Sequence, residues 1–326
     1  MTAVATSINT DPDFKVKQQD TSKGSAASYM AEQNPASVLA FQFVTDMAME
    51  VTQGRIELPS FPDVATQVRK ALSNENVTPD LIARIVSADG DLAARVMMLA
   101  NSIALNPNGR IVSELKSAVA RIGHNNVRSA VMAFALAKLR YSDELRPIKP
   151  QLEVLWNEAT IVAVMSHSIA KQCSGINPDE ALLAGLLHNV GKIYILARAH
   201  KYPELFKDAT SIRAIMNDWQ TNVGKAVLEN WAFAPQIAAA VGGYMDFEEM
   251  RGYADLTDVL TLAVLLASYV DQQGNSKLVE GQEIDFELNM QSVRACGRLN
   301  FTNEKFLYVL NECREDMSAL RAALGR

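Results

Sequence analysis

Ala181-Leu182-Leu183-Ala184-Gly185-Leu186-Leu187-His188-Asn189-Val190-Gly191-Lys192 decides how this chain reads. Asn177-Pro178-Asp179-Glu180 precedes it, a compact start signal. Asparagine caps, proline has the φ of the first turn, and the acid at the third position can return a bond. The stretch therefore predicts a helix from Ala181 to Ala197, apolar nearly all round and so buried among other helices. At about 100° per residue His188 and Lys192 share a face, with Asn189 beside them. Two readings stay open. A His–Asn pair on a buried helix is commonly a satisfied core polar pair. As part of a metal site it needs further converging ligands. The other histidines are His124, His167 and His200. Of these only His167 sits on a long, strongly apolar helix that could face His188.

Outward from this stretch the pattern stays helical. Residues 37–53 are broadly apolar, with Phe41, Phe43, Val44 and Met47 surrounding most of a helix that Gly54 can end. Leu58-Pro59-Ser60-Phe61-Pro62-Asp63 forces an extended entry into a helix running to about Leu72. Thr78-Pro79-Asp80 starts another, with cap, proline and an acid at the positive helix end. Asp89 can cap a helix carrying Leu92, Val96, Met97 and Leu99. Ser113 can cap the next, which Gly123 stops, and Asn125 or Asn126 opens a helix to about Leu139. A long helix is expected from Gln151 to Cys173, and later ones near 211–231, 235–243, 257–273, 289–298 and 303–323. Strand alternation with hairpin turns is not found, and no period of 20 to 50 residues repeats. The fold class that follows is all-α, with many short helices. Residues 1–35 are polar, without sustained periodicity, and read as a mobile tail.

The 326 residues are 48% hydrophobic and 21% charged, enough apolar material for sizeable cores. That excludes a disordered regulator or a disulfide-stapled miniature. A formal charge of −6 gives no support to a nucleic-acid-coating surface. Cys173, Cys296 and Cys313 lie far apart without zinc-finger spacing, as expected of reduced thiols in a cytoplasmic protein. No secretory pattern opens the chain. The apolar runs Leu260–Val270 and Val131–Ala137 are too short for a membrane span of about 18 residues.

Five ordered segments together resemble the HDOD family, the HD-related output domains of bacterial signalling. They are Leu58 to Ala65; Asp89 to Ser102, ending in Leu-Ala-Asn-Ser; Ser113 to Gly123; Ala184 to Lys192; and Trp231 with Pro235. The likeness covers roughly residues 55 to 275. It implies an all-α HD-like architecture in two helical lobes, 36–148 and 149–326, joined near Pro147–Pro150. HDOD proteins are related to the HD phosphohydrolases, whose metal set is His, His-Asp and a distant Asp. Carried over, the resemblance puts His167 at the first His, His188 at the second, Asn189 at the adjacent Asp and Ser268 at the last Asp. Gln220 stands where relatives show a His, and Tyr244-Met245 where a His-His pair is common.

Asn189 keeps the size of Asp without its charge, and Ser268 loses both charge and reach. A metal held by neutral imidazoles would lack its carboxylates, so divalent binding should be weak. The expectation is a degenerate pocket of His167, His188, Asn189, Lys192 and Ser268, with no catalytic residues, no metal and no cofactor. The chain is then a non-catalytic signal-transduction module, acting through a signalling protein partner or a small ligand. Lys192 could hold an anion such as a nucleotide phosphate, or simply snorkel to solvent. A metal-dependent phosphohydrolase with an altered ligand set is the alternative. A scaffold that homo-oligomerises through residues 37–53 is a third reading. Neither a nucleic acid nor a membrane is expected as partner.

Overall fold

The computed structural model describes residues 35–277 and 293–324, apart from 57, 59–60, 73, 75–76, 102–105 and 107. The tail expected over 1–35 lies outside these residues except for Pro35, which opens the first helix; Pro59, Ser60, Ser102 and the start of the helix expected at 289–298 lie outside them too. Helices account for the regular structure among the described residues, the exception being an isolated bridge between Val270 and Ser276. None of these helices is long and apolar enough to cross a membrane.

The first half comprises α1 (Pro35–Thr52), α2 (Asp63–Ala71), α3 (Pro79–Val86), α4 (Gly90–Ala100), α5 (Leu115–Ile122) and α6 (His124–Lys138). Its start signals act as their chemistry requires. The Thr78 side chain accepts from Leu81 N at 3.3 Å, and Asp89 accepts from Leu92 N at 3.0 Å. Gly54 and Gly123 take φ of +66° and +81°, which only glycine adopts freely, and so end α1 and α5. Two start sites differ from expectation. Glu114 rather than Ser113 occupies the cap of α5 without a side-chain bond, and α6 begins at His124, directly after the Gly123 reversal.

The second half comprises α7 (Lys149–Lys171), α8 (Pro178–Leu187), α9 (Val190–Ala199), α10 (Pro203–Lys207), α11 (Ala209–Asn230), α12 (Pro235–Gly243), α13 (Leu256–Ala267), α14 (Arg294–Leu299) and α15 (Asn303–Leu324). α7 is central and buried from Ala159 to Ala170, with α8, α13 and α15 packed around it. Gly185 lets α8 approach closely: a Cβ there would stand 2.5 Å from the Ala163 Cα. Gly191 does the same for α9 on α11, where a Cβ would collide with the Gln220 carbonyl. The Asn177 cap accepts from Asp179 N at 2.9 Å.

The single helix expected from Ala181 to Ala197 is two helices. His188 and Asn189 form the turn between α8 and α9, with Asn189 at φ −86°, ψ 5°. The apolar pattern runs through the break because both helices are buried, and periodicity registers burial rather than continuity.

The two halves interlock. Phe61 stacks on Trp231 at 5.3 Å, and the Arg128 guanidinium donates to the carbonyls of Leu72 and Ala232. α15 contacts α4 as well as α7. α1 lies with the second half, although the expected lobe boundary groups it with the first. It packs on α10 and α11, and Phe43 meets Tyr202 edge-on at 5.3 Å. Tyr194 Oη donates to Glu50 Oε2 at 2.8 Å, Tyr202 Oη to Asp46 Oδ2 at 3.0 Å, and Arg198 pairs with Glu50. At the start of α13, buried Asp258 closes a capping box and pairs with Arg251 at 3.2 Å and Arg298 at 2.6 Å, fastening α14.

Candidate functional site

The turn between α8 and α9 is the most polar point of an apolar interior. His188 and Asn189 are 2% and 1% exposed. Gly185 and Gly191 flank them and bring α8 onto α7 and α9 onto α11, so the turn is wedged between backbones. His188 Nδ1 lies 2.7 Å from the Gly185 carbonyl, to which it donates, and Nε2 is turned toward Glu158. Asn189 spends both amide protons on α7, on Leu155 O at 3.2 Å and on Glu158 Oε2 at 3.2 Å.

Glu158 is the centre of the cluster. Its Oε1 lies 3.5 Å from Lys192 Nζ and 3.8 Å from His188 Nε2. Burial works to raise its pKa. The Lys192 charge, helped by His188 and the Asn189 amide, outweighs burial and holds the carboxyl well below the usual range. Two neighbours complete the enclosure. Tyr244 stands edge-on to His188 with ring centres 5.8 Å apart, and its hydroxyl donates to Gln220 Oε1 at 3.2 Å. Burial, and then the Glu158 charge, push the Tyr244 phenol well above its ordinary pKa, so it is a neutral donor. Thr261 of α13 donates to the Tyr244 carbonyl at 3.0 Å and fixes the end of α12.

Of the five residues expected to share a pocket, His188, Asn189 and Lys192 converge on Glu158. His167 follows Glu158 by nine residues on α7, which is about 13 Å along the axis and half a turn around it. It therefore lies away from the carboxylate that His188 faces. Ser268 caps the end of α13; its hydroxyl donates to Leu265 O at 2.7 Å and its carbonyl accepts from Lys277. Gln220 and Tyr244, singled out in sequence for standing at expected histidine positions, do meet at His188. Glu158 was missed. Its signal is its place: it is the last charge before the stretch Ala159–Ala170 of α7, which carries none.

The residues present do not suit the catalytic metal of an HD phosphohydrolase. Among the described residues no three His, Cys, Asp or Glu side chains gather as a metal set. The carboxylate that is present already faces an ammonium. Asn189 Oδ1 is buried without a hydrogen-bond partner, and His188 Nε2 has only the 3.8 Å approach to Glu158.

A family model described as the HDOD domain matches residues 58–245, more than half of the chain. The chain belongs to the HDOD family. Solved structures share the HDOD fold seen here. A candidate metal-dependent phosphohydrolase from Shewanella amazonensis SB2B aligns with a TM-score of 0.62 at 23% identity, over 86% of this chain and 99% of its own. An HDOD domain protein of unknown function from Geobacter sulfurreducens aligns with a TM-score of 0.54 at 22% identity, over 88% of this chain and 97% of its own. A candidate signal transduction protein from Marinobacter aquaeolei VT8 aligns at 0.51 and 17% identity, over 92% and 68%. No curated protein matches the chain.

Proposed function

We propose that this HDOD protein is a non-catalytic signal-transduction module that works by binding a protein partner. The observation that carries the reading is the Glu158 cluster. Its cationic and amide groups point at its own carboxylate, and a Tyr–Gln pair occupies the side where further ligands would be needed. Such a site has the scaffold of a hydrolase and spends its polar groups internally, so it has little to offer a scissile phosphate. An anionic ligand is disfavoured for the same reason, because Lys192 is partly buried and faces Glu158. The Marinobacter relative is named for signal transduction, which agrees with the proposal.

The test combines elemental analysis of protein purified without chelator or nickel resin with hydrolysis of a generic phosphodiester in the presence of Mn2+, beside Asn189→Asp. Sub-stoichiometric metal and no turnover by the unmodified chain are expected. Near-stoichiometric iron, manganese or zinc with turnover would establish the altered-ligand phosphohydrolase instead. A nucleotide that protects the protein against thermal unfolding, and loses that effect in Lys192→Met, would replace the protein partner by a small anion.

A further inference from the structure

We infer that residues 24–31 of this chain dock back into an apolar groove between α1 and α11, with Tyr29 and Met30 as the anchors. The Glu158 cluster plays no part in this contact. α1 uses two faces. Phe43, Asp46, Met47 and Glu50 face the second half, where Phe43 and Met47 are buried and the acids meet Tyr202 and Tyr194. Beside that face Phe41, Val44, Ala48 and Met49 line a groove of about 510 Å³ together with Ile215 and Trp219 of α11. Its threonines spend their hydroxyls on the helix itself: Thr45 Oγ1 donates to Phe41 O at 2.8 Å, and Thr52 Oγ1 to Ala48 O at 2.7 Å. Among the described residues no charged side chain lines the groove. Met49 is 50% exposed in it. A concave apolar surface of this size suits a few uncharged side chains and would strip water from a charged one without compensation.

The sequence that leads into α1 supplies such an occupant. Lys23 and Glu32 bracket Gly24-Ser25-Ala26-Ala27-Ser28-Tyr29-Met30-Ala31, which carries no charge. Asn34-Pro35, at the head of α1, is a turn signal where the chain can reverse. Met30 and Tyr29 stand five and six residues before Pro35, a reach of at most about 17–21 Å. Val44 and Ala48 stand nine and thirteen residues beyond Pro35, about 14–20 Å along the helix. The two anchors therefore reach the middle of the groove. There a thioether packs well against the Trp219 ring, and the small side chain of Ala48 leaves room for the Tyr29 ring. The other stretch without charged side chains, residues 1–10, is 25 or more positions from Pro35 and must close a longer loop. A second copy has to be captured from solution, whereas a tethered segment is present at an effective concentration of about 1 mM.

Trp219 reports on the groove. It is partly exposed, whereas Trp156 and Trp231 are 6% and 2% exposed. The experiment is acrylamide quenching of tryptophan fluorescence in the full chain, with Trp219→Phe identifying the Trp219 share of the signal and circular dichroism checking that each variant is folded. Tyr29→Ser/Met30→Ser should raise the quenching of Trp219. Thr45→Glu, which sets a charge in the groove, should do the same from the other side; should it not fold, Thr52→Glu takes its place. Val4→Ser/Ile8→Ser should change nothing. A synthetic peptide of residues 20–34, added to Tyr29→Ser/Met30→Ser, should restore protection with a Kd of about 0.1 mM or tighter, the value that keeps a tethered segment about nine-tenths docked. Equal quenching in the unmodified chain and in the anchor and groove variants, with no effect of the peptide, overturns the inference. Release by Val4→Ser/Ile8→Ser in place of Tyr29→Ser/Met30→Ser overturns it as well. Protection that falls on dilution of the unmodified chain would put a second copy in the groove and overturn it too.

Discussion

Asn189 differs from aspartate by one amide, and its surroundings explain the difference. Both of its N–H groups meet acceptors, a carbonyl and a carboxylate. A carboxylate there would face Leu155 O and Glu158 with lone pairs only. Asn189→Asp should therefore destabilise the protein by about 2–3 kcal/mol in urea denaturation at neutral pH. Adding Glu158→Gln should return part of that loss, since the Gln amide can donate to the introduced carboxylate where Glu158 would repel it. Glu158 itself titrates with a lowered folded pKa, so its ionised form contributes stability above its unfolded value of 4.5, lost as pH falls toward the folded value. The stability gap between the unmodified chain and Glu158→Gln should be flat near neutral pH and shrink once pH drops below about 4.5. A gap that widens on acidification would contradict this assignment.

At the scale of elements, two glycines set the packing around the site. Gly191→Ala would drive a methyl into the Gln220 carbonyl and force α9 from α11. A loss of about 3 kcal/mol is expected, measured by chemical denaturation. Gly297→Ala, whose Cβ meets nothing within 4 Å, is the matched control and should be near neutral. Asp258 is the polar counterpart: fully buried, it joins Arg251, Arg298 and the start of α13. Asp258→Ala leaves two arginines without it and should cost about 3–5 kcal/mol. Helix existence was legible because caps and apolar spacing are local: Thr78, Asp89 and Asn177 cap where the sequence places them. The break at His188–Asn189 was not, since a buried turn has the composition of the helices on either side. The site was half legible for a related reason. His188, Asn189 and Lys192 lie within five positions and share a motif, whereas Glu158 comes from another helix and reaches them only through packing at Gly185.

At the scale of the molecule, α1 is the unexpected member. Its partners Tyr194 and Tyr202 belong to the second half, as does Asn230, which donates to the Gly54 carbonyl just past its end. Its helical pattern was plain in sequence, but no local signal names a partner so far along the chain. Removing residues 1–54 should lower the thermal midpoint markedly, because it uncovers Tyr194 and Ile215, now 0% and 3% exposed. Light scattering on both forms separates the roles of this helix. An unchanged monomeric mass with reduced stability is the outcome expected of a strap; a mass that drops on deletion would make α1 an oligomer contact.

The same strap has a consequence for the ribosome. Glu50 waits 144 residues for Tyr194, and Asp46 waits 156 for Tyr202. At about 5–20 residues per second, that is roughly 7 to 30 s of synthesis. Throughout that interval Phe43 and Met47, buried in the finished protein, are emerged and uncovered. The nascent chain thus passes through a long stage with an adhesive helix, and that helix is the natural point for a chaperone to hold.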